Sequence, residues 1–511
     1  PGEQRDEQAM LGAVCRTLGL AEDEVGGVLP LRRSLDARRG RPTFRVRVRV
    51  FLGEPPPPPA PPERFPEVGH GREVVVVGCG PAGLFASLRL VQRGFRPLLL
   101  ERGKEVQARR RDLRALHQAG VVDADSNYCF GEGGAGTYSD GKLYTRATGR
   151  GDVGRVLSLL CQHGASPDIL VDAHPHVGSN RLPGIVGALC QTLLQSGAEV
   201  RFGARVTDLI VRPGGGQAVR GVVLDSGEEV TGEAVVLATG HSARDIYELL
   251  LRRGLTLQAK PFAMGVRIEH PQALIDSAQY RVRRRDPGLP PASYNLACQV
   301  DGRGVYSFCM CPGGMVVPAA TAPEELVLNG MSLARRDSPL ANAGLVVSVG
   351  PEQWRAYEHH GVLAGLALQR SLEQAAYQAG GGGMRAPAQR AQDFVAGKTG
   401  GQPLPSSSYR PGVTLAPLHE LLPGPLARRL AGGLELMARK LRGFLSEEAL
   451  LLGVETRTSA PVRIPRDPAS LMHPCAPGLF PAGEGAGYAG GIVSSALDGQ
   501  TAAEAVARYL G

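Results

Sequence analysis

GREVVVVGCGPAGLFASLRLVQRGFRPLLLERG, residues 71–103, is the stretch that decides the fold. Residues 74–77 form a continuous apolar run, which is typical of a strand buried on both faces of a parallel sheet. Leu84, Leu88 and Val91 then recur at helical spacing, and a second apolar run at 98–100 ends at Glu101. The stretch therefore predicts a strand, a helix and a parallel neighbouring strand, the βαβ unit of a Rossmann-type domain.

The turn between the first strand and the helix carries three glycines in the spacing GxGxxG. In this pattern the first glycine permits the tight turn, the second lets backbone N–H groups approach a pyrophosphate, and the third allows close packing of helix and strand. The positive end of the helix attracts phosphate, and an acid about twenty residues on is placed to accept hydrogen bonds from both ribose hydroxyls of an adenosine. The residues predicted to hold a dinucleotide here are Gly78, Gly80, Pro81, Ala82, Gly83, Glu101 and Arg102.

The composition is that of a globular protein with several domains, with 511 residues of which 43% are hydrophobic and 21% charged. The 69 glycines fall in clusters, which excludes a collagen-like chain. The formal net charge is +8, but nearly all positive side chains are arginines. This skew indicates a compositional bias, so the charge argues only weakly for nucleic acid, which we do not expect as a partner.

Nine scattered cysteines do not resemble a disulfide framework and favour a reducing compartment, either the cytoplasm or an organelle. No apolar run approaches the roughly 20 residues of a membrane-spanning helix. The chain begins with Pro1 rather than methionine, so a missing presequence stays open. No CxxC pair and no HExxH motif occur, and we expect no metal.

The chain divides at PPPPPAPP, residues 55–62, because polyproline forms a semi-rigid spacer without a core. Before it, Met10, Val14 and Leu18 at helical spacing and the alternating residues 44–50 predict a small α+β module. Its arginine-rich stretch 32–40 is read either as an anion site or as a solvated face. The predicted units are an N-terminal domain (1–54), a Pro-rich linker (55–66), the first part of the dinucleotide-binding domain (67–260), an inserted α+β substrate domain (261–450) and the C-terminal part of the binding domain (451–511).

Two further stretches favour FAD as the dinucleotide. AVVLATG, residues 234–240, follows hairpin patterns at 200–230, the order expected for a β-meander inserted in a Rossmann sheet. The tail GLFPAGEGAGYAGGIV, residues 478–493, predicts a strand, a glycine-rich turn and a helix whose positive end faces the flavin. The residues assigned to the cofactor here are Val206, Thr239, Gly240, Gly483, Glu484, Gly491 and Ile492.

A glycine-rich loop, GEGGAGTYSDGKL at 131–143, is predicted to lie against the flavin ring system. Gly134, Thr137 and Lys142 are assigned to it, because glycines let backbone lie flat and a few polar groups fix orientation. Lys142 is read with equal weight as a solvated loop lysine or as a cation beside flavin N5 or an anionic substrate.

Together with AHPHVGSNRL (173–182), YSFCMCPGGMVV (306–317), SSYRPGV (407–413) and VETRTSAPVRIPRD (454–467), these motifs resemble an uncharacterised family of FAD-dependent dehydrogenase-like proteins, related to glutathione-reductase-type flavoproteins. The resemblance spans residues 10–511. It implies the fold and FAD but names no substrate. In the related flavoproteins an aspartate stands where this chain has Glu484.

The catalytic residues stay open after this comparison. Candidates are Lys142, Arg267, His174, His176 and Arg457, although a lone histidine is more often a structural hydrogen-bonding group than a base. Cys309 and Cys311 lie in a strand-like segment without the CxxC turn that lowers a thiol pKa, so they are read as buried structural thiols on one sheet face.

These patterns predict an α/β flavoprotein that binds FAD non-covalently and passes a hydride or electrons between flavin N5 and a small-molecule substrate. No second GxGxxG follows a strand, so two reductants stay open: NADH or NADPH bound transiently, or the substrate itself. Two rivals stay open: a non-catalytic flavin-fold scaffold for a protein partner, and an RNA-modifying flavoenzyme. The oligomeric state is not predicted.

Overall fold

The structure, a computed structural model, describes residues 6–38, 41–145, 148–212 and 218–511. The helices are α1 (Glu7–Leu18), α2 (Pro81–Gln92), α3 (Val106–Ala119), α4 (Val153–Gln162), α5 (Leu182–Gln195), α6 (Arg244–Arg252), α7 (Gln272–Tyr280), α8 (Ala364–Gly380), α9 (Ala391–Ala396), α10 (Leu418–Leu421), α11 (Gly424–Lys440) and α12 (Ile492–Leu510). The strands are β1 (Val25–Asp36), β2 (Thr43–Leu52), β3 (Glu73–Val77), β4 (Arg96–Glu101), β5 (Glu199–Phe202), β6 (Val206–Arg212), β7 (Ala218–Leu224), β8 (Glu229–Thr231), β9 (Val235–Leu237), β10 (Gln258–Ala259), β11 (Phe262–Pro271), β12 (Ala297–Val300), β13 (Arg303–Cys311), β14 (Met315–Pro318), β15 (Leu328–Met331), β16 (Leu340–Val349), β17 (Ala386–Arg390), β18 (Val413–Leu415), β19 (Leu450–Glu455), β20 (Val462–Arg463) and β21 (Leu479–Pro481).

The N-terminal module consists of α1 and the antiparallel hairpin β1–β2. The predicted alternation is present in β2, but in α1 the buried residue is Cys15, whereas Leu18 is 57% exposed. Within the arginine-rich stretch, Arg33 is not solvated, because it is buried and pairs with Asp168 at 2.7 Å and Asp172 at 2.8 Å. These ion pairs attach the hairpin to the body of the protein. Residues 39 and 40 of the stretch lie outside the described residues.

A five-stranded parallel sheet, in the order β21-β9-β3-β4-β5, forms the first layer. Taken in chain order these strands have the 3-2-1-4-5 arrangement of a doubly wound fold. The topological switch point lies between β3 and β9, and a ligand of such a sheet binds at the carboxyl ends of the strands there. The antiparallel sheet β6-β7-β8 is the predicted β-meander between β5 and β9.

A seven-stranded sheet, in the order β12-β13-β16-β11-β19-β17-β18, forms the second layer. Its central strand β11 contains the predicted stretch GVRIEH, which is buried along its whole length. β19 pairs with β11 and β17, so this sheet includes residues on both sides of the predicted boundary at residue 450. The local sequence pattern does not show which strands pair across long sequence separations.

A β-bulge in β13 separates the two cysteines that the sequence placed on one face. Cys309 has φ +48° and is exposed, whereas Cys311 is fully buried. The prediction of two buried thiols on one face is therefore wrong for Cys309, because the extra residue of a bulge changes the direction of the side chains.

Among the described residues, no helix is long and apolar enough to cross a membrane, and no group of three or more His, Cys, Asp or Glu side chains is arranged to hold a metal ion.

His270 makes the stability of the second layer depend on pH. Its Nε2 donates to the Phe444 carbonyl at 2.7 Å, and burial lowers the pKa of His270 to about 4 from 6.5. Between these values the unfolded chain binds a proton that the folded chain does not, so the free energy of unfolding decreases as the pH falls from 6.5 towards 4. We expect His270 to account for a loss of about 2 kcal/mol at roughly pH 5 relative to neutral pH.

The measurement is urea unfolding near neutral pH and near pH 5. The His270→Gln variant keeps an amide donor but does not titrate, so its pH dependence should be smaller by that amount. The control is His359→Gln at an exposed position. Equal pH dependence of the wild type and His270→Gln would contradict the assignment.

Candidate functional site

The three glycines of the turn after β3 have different roles. A Cβ at Gly83 would lie 1.8 Å from the Gly78 carbonyl oxygen, and Gly78 has φ +102° with a Cβ position 2.5 Å from Ala238 O. The fold itself therefore requires these two glycines. Gly80 has an ordinary φ of −74°, and its Cβ would meet nothing closer than Gly134 Cα at 4.0 Å. Protein packing does not explain this glycine, so the flat surface at Gly80 points to a ligand that approaches the backbone.

The glycine-rich loop lies directly beside this turn. A Cβ at Gly134 would be 2.9 Å from Gly80 Cα, and one at Gly136 would be 3.3 Å from Ile492 Cγ1. The loop thus contacts both the turn and the start of α12, segments separated by about four hundred residues of chain.

The tail segment reaches the same place through the parallel sheet. A Cβ at Gly483 would lie 2.8 Å from Ala82 Cβ, and one at Gly485 would lie 2.6 Å from Gly240 O. Tyr247 donates to the Gly485 carbonyl at 2.8 Å and keeps this turn in position. The turns after β3, β9 and β21 therefore meet at the carboxyl edge of the sheet.

Two helices begin at this edge. Within the described part of the chain, neither α2 nor α12 has a side-chain cap on its first turn. The first N–H groups of a helix have no partner inside the helix and carry the positive end of its dipole. A Cβ at Gly490 would meet nothing within 4 Å, so the approach to α12 is open. The site therefore presents two sets of backbone donors suited to negatively charged or electron-rich oxygens.

Glu101 joins three of these segments. Its Oε1 accepts from the N–H groups of Gly103 and Gly131, both at 2.9 Å, and its Oε2 accepts from Cys79 N at 2.8 Å. A carboxylate has about four acceptor positions, so one remains. Both ribose hydroxyls were predicted to donate to Glu101, whereas its three backbone hydrogen bonds leave room for one further donor.

Arg109, which the sequence analysis did not single out, fixes the glycine-rich loop. Its fully buried guanidinium donates to the carbonyls of Asn127 at 2.7 Å, Glu132 at 2.9 Å and Gly134 at 2.8 Å. Burial lowers the pKa of Arg109, while the nearby Glu101 charge opposes this shift. The sequence signal that could have indicated this role is the position of Arg109 on the apolar face of α3, whereas several neighbouring arginines are exposed.

A second missed residue, Asp498 on α12, holds the tail turn. It accepts from Gly483 N at 2.7 Å and pairs with Arg466 at 2.6 Å. Glu484, which was assigned to the cofactor, follows Gly483 in the same turn, and its carboxylate lies 3.6 Å from His241 Nδ1. The acid that contacts the turn thus comes from the helix, a contact that the turn sequence does not encode.

Three other residues that were predicted to bind the cofactor make contacts within the protein. Arg102 pairs with Asp125 at 2.5 Å and with Asp245 at 3.0 Å. Thr137 is buried and donates to the Glu132 carbonyl at 2.8 Å. Val206 lies in a hydrophobic core. Its neighbours there include Val77, Leu100 and Leu237.

Lys142 lies where the glycine-rich loop meets the second layer. Its Nζ donates to the Met310 carbonyl and lies 3.5 Å from Asp140, which pairs with Arg336 at 2.7 Å. Although burial opposes it, the charges of Lys142 and Arg336 hold the pKa of Asp140 at about 2. Burial and then Arg336 lower the pKa of His176, 3.4 Å from the Ser332 hydroxyl, to about 4. Lys142 is therefore not a solvated loop lysine, because it belongs to a polar cluster between the layers.

The remaining candidates lie in different surroundings. Arg267 is fully buried in β11 and pairs with Glu455 at 2.7 Å. Arg457 is buried in a separate network with Glu373 at 2.7 Å. His174 is exposed and lies edge-on to Tyr144, with ring centroids 4.9 Å apart.

Part of the chain matches a family model of FAD-dependent proteins. Residues 261–458 match the family model described as FAD-dependent protein, C-terminal domain-like, and residues 1–51 match a domain of unknown function. An uncharacterized protein of Clostridium beijerinckii is 39% identical over 512 residues, covering 96% of this chain and 94% of that protein. The chain therefore belongs to the same family as the Clostridium protein.

Three solved structures of flavoproteins are among those similar to the chain. CtdE in complex with FAD has a TM-score of 0.33 at 12% identity and covers 85% of this chain and 84% of its own. A triple mutant of the flavin-dependent brominase Bmp2 has a TM-score of 0.37 at 13% identity, with coverages of 86% and 81%. The open conformation of a flavocytochrome c3 fumarate reductase has a TM-score of 0.33 at 12% identity, with coverages of 86% and 78%.

The residues at the carboxyl edge fit FAD. Gly80 and Gly490 leave open space where a side chain would stand, and two uncapped helices supply N–H donors for a pyrophosphate and for the oxygen side of a flavin. The donor set is made of backbone, which suits a dinucleotide bound without a covalent bond.

The contrast between two neighbouring glycines is testable. Gly83→Ala should lower the free energy of unfolding by about 1–3 kcal/mol, because its methyl group collides with the Gly78 carbonyl. Gly80→Ala should change it by less than about 0.5 kcal/mol. Urea unfolding of both variants measures the difference, and equal losses would show that Gly80 also serves packing.

Proposed function

We propose that this chain is an FAD-dependent oxidoreductase that exchanges electrons with a small-molecule substrate held between the two layers. The observation that carries the proposal is Gly80, whose conformation and surroundings accept a side chain. A ligand that touches the backbone between two uncapped helices explains why this position has no side chain. The matched family of FAD-dependent proteins supports FAD as that ligand.

The residues that would hold FAD come from both ends of the chain. The first turn of α2 would bind the pyrophosphate and the first turn of α12 the flavin side, while the free acceptor position on Glu101 would take one ribose hydroxyl. Bound FAD supplies a centre that accepts or donates two electrons at flavin N5. Arg109 and Glu101 keep the glycine-rich loop in one conformation, so the chain does not need to order it on binding.

The substrate side is supplied by the polar cluster around Lys142. Lys142 lies 3.5 Å from the ionised Asp140 and Arg336 pairs with it at 2.7 Å, while burial lowers the pKa of His176 to about 4, so that His176 is neutral at physiological pH. These groups can orient a polar substrate and hold charge constant during electron transfer. We propose NADH or NADPH as a reductant that binds only transiently.

The proposal predicts a yellow protein that has the absorbance spectrum of flavin. Denaturation should release this flavin from the protein. Gly80→Val should lower the flavin bound per chain by about tenfold or more, because its side chain occupies the surface that the pyrophosphate must approach. Gly401→Val is the matched control, since Gly401 is exposed and a Cβ there meets nothing within 4 Å. A colourless protein that does not take up added FAD, or unchanged flavin content in Gly80→Val, would contradict the proposal.

Glu101→Ala should reduce both flavin content and stability. The substitution leaves three buried backbone N–H groups without their acceptor, which should cost about 3 kcal/mol or more. Flavin absorbance and urea unfolding measure the two effects. Normal stability together with normal flavin content would show that neither folding nor flavin binding depends on the hydrogen bonds of the Glu101 carboxylate.

Anaerobic mixing of the flavin-containing protein with NADH or NADPH tests the reductant. Bleaching of the flavin by either nucleotide supports the proposed electron donor, and bleaching by neither one removes the nicotinamide from the proposal.

A further inference from the structure

The two faces of the β1–β2 hairpin have different surroundings. On one face, Leu35 and Phe44 pack against the hydrophobic core that contains β11 and β16. Arg33 lies on the same face, where it is buried and pairs with Asp168 and Asp172. Successive side chains of a strand point to opposite faces, so the residues that alternate with these form the second face of the hairpin.

The second face carries a row of arginines. Arg45, Arg47 and Arg49 of β2 are exposed at alternate positions, so they repeat about 7 Å apart along one side of the strand. On β1, the exposed Arg32 lies directly opposite Arg47. Ser34 lies opposite Arg45 in the same way. Because residues that are directly opposite share a face, Arg32 joins the other three arginines in one arginine row.

One acid belongs to the hairpin. Residues 25–52 contain eight arginines and a single carboxylate, that of Asp36, which pairs with Arg45 at 3.0 Å and with Arg38 at 2.9 Å. The acids that flank the two strands in sequence lie beyond the last pair of the ladder, Val25 and Leu52. These flanking acids are Glu22, Asp23, Glu24 and Glu54.

Three members of the arginine row are therefore left without an acid. Among the residues that the structure describes, Arg32, Arg47 and Arg49 have no ion-pair partner. Arg32 and Arg47 moreover face each other across the ladder, and like charges directly opposite destabilise a strand pair. An anion that binds over the row would relieve this repulsion.

An exposed pair of rings lies beside the arginine row. The Ala173 N–H donates to the Arg33 carbonyl at 2.9 Å, which brings the next residue, His174, alongside β1. Burial and then the charge of Arg32 lower the pKa of His174, so the imidazole is close to this arginine. The Tyr144 ring lies edge-on to His174, with centroids 4.9 Å apart, and both residues are exposed. Exposed rings beside cations suit unpaired bases, which stack on aromatic side chains.

We propose that this face of the hairpin binds single-stranded RNA. The arginine row contacts successive phosphates, because a guanidinium binds phosphate oxygens bidentately. Tyr144 and His174 stack on an unpaired base. The Ser34 hydroxyl, which has no hydrogen-bond partner in the described part of the chain, lies within the row and bonds a ribose 2′-hydroxyl.

The composition of the face favours RNA over a membrane. At the three pairs that carry the arginine row, the one apolar side chain is Leu29, opposite Arg49, whereas a surface that inserts into lipid needs an apolar face. The excess of arginine in the sequence indicated a compositional bias, and nucleic acid was not expected as a partner. The strand register changes this expectation, because it gathers unpaired arginines on one face. RNA binding goes beyond the proposed redox function and requires no flavin.

The test measures fluorescence anisotropy of a labelled oligouridylate mixed with the full chain. A length of about 20 nucleotides exceeds the 4–16 that a small single-strand-binding domain contacts. We expect a Kd near or below about 10 µM at about 50 mM salt. The logarithm of the association constant should fall with the logarithm of the salt concentration with a slope of about −2 to −3, because about three or four phosphates are neutralised. No binding at low salt, or a slope near zero, overturns the proposal.

The decisive variant combines Arg32→Gln, Arg47→Gln and Arg49→Gln. Affinity for the oligouridylate at about 50 mM salt should fall by about tenfold or more, and the salt slope should become less steep by about 2. Tm should be unchanged or higher, because the substitutions remove a like-charged pair from the ladder. Unchanged affinity in this variant overturns the proposal.

A matched control removes three positive charges elsewhere. It combines Arg283→Gln, Arg284→Gln and Arg439→Gln, all at exposed positions outside the hairpin. The control should keep the affinity and the salt slope of the wild type. An equal loss in both triple variants would show that net charge, and not this face, attracts the RNA, and it would also overturn the proposal.

Two comparisons test the kind of partner. Tyr144→Ala should weaken binding by about fivefold or more, whereas Tyr144→Phe keeps the ring and should bind as the wild type does. The oligodeoxyuridylate of the same length should bind more weakly than the oligouridylate. Equal binding of the two strands contradicts RNA as the partner. Tighter binding of polyglutamate or of phosphatidylserine vesicles, lost in the Arg32, Arg47 and Arg49 variant, assigns the face to an acidic protein or a membrane and overturns the proposal.

Flavin content separates this proposal from the redox function. The variant of the arginine row should carry as much flavin as the wild type. A colourless chain that binds the oligouridylate supports the RNA surface and contradicts the redox function, whereas a flavin-containing chain that does not bind it overturns only the RNA surface.

Discussion

The carboxylate of Glu101 is the constraint on which the site depends. It is 4% exposed and receives N–H groups from the turn after β3, from the turn after β4 and from the glycine-rich loop. A buried charge is tolerated only when hydrogen bonds replace its hydration, so these three segments must stay together for the charge to stay buried. Arg109 acts from the other side of the same loop, where it binds carbonyls instead of N–H groups. Between them, an anion and a cation hold a loop of little intrinsic order in one conformation.

The two layers carry different kinds of polar groups. The parallel sheet presents backbone donors and glycines at its carboxyl edge, which suits a ligand recognised by phosphate and ring oxygens. The seven-stranded sheet instead carries ionised side chains on a buried face, with Arg267 and Glu455 at its centre. Burying an ion pair rarely adds stability compared with apolar packing.

Particular residues show how far the sequence could predict this arrangement. The βαβ unit, the start of α12 near Gly491 and the β-meander follow from local periodicity and glycine spacing, and the structure confirms these elements. The roles of Arg109 and Asp498 could not be predicted, because their partners are backbone groups of distant turns. The exposure of Cys309 was also missed, since a bulge depends on the register between strands and not on the sequence of one of them.

The sequence by itself determined the local elements of this protein: which segments are buried strands, where the helices begin, and which glycines permit a tight turn, because these depend on neighbours along the chain. Only the tertiary structure decided which side chains satisfy which buried backbone groups. Glu101 shows this difference, since its position at the end of a strand is local information, whereas its bond to Gly131 depends on how the chain packs. A buried polar group must find a partner in space, and sequence distance does not determine which one is near.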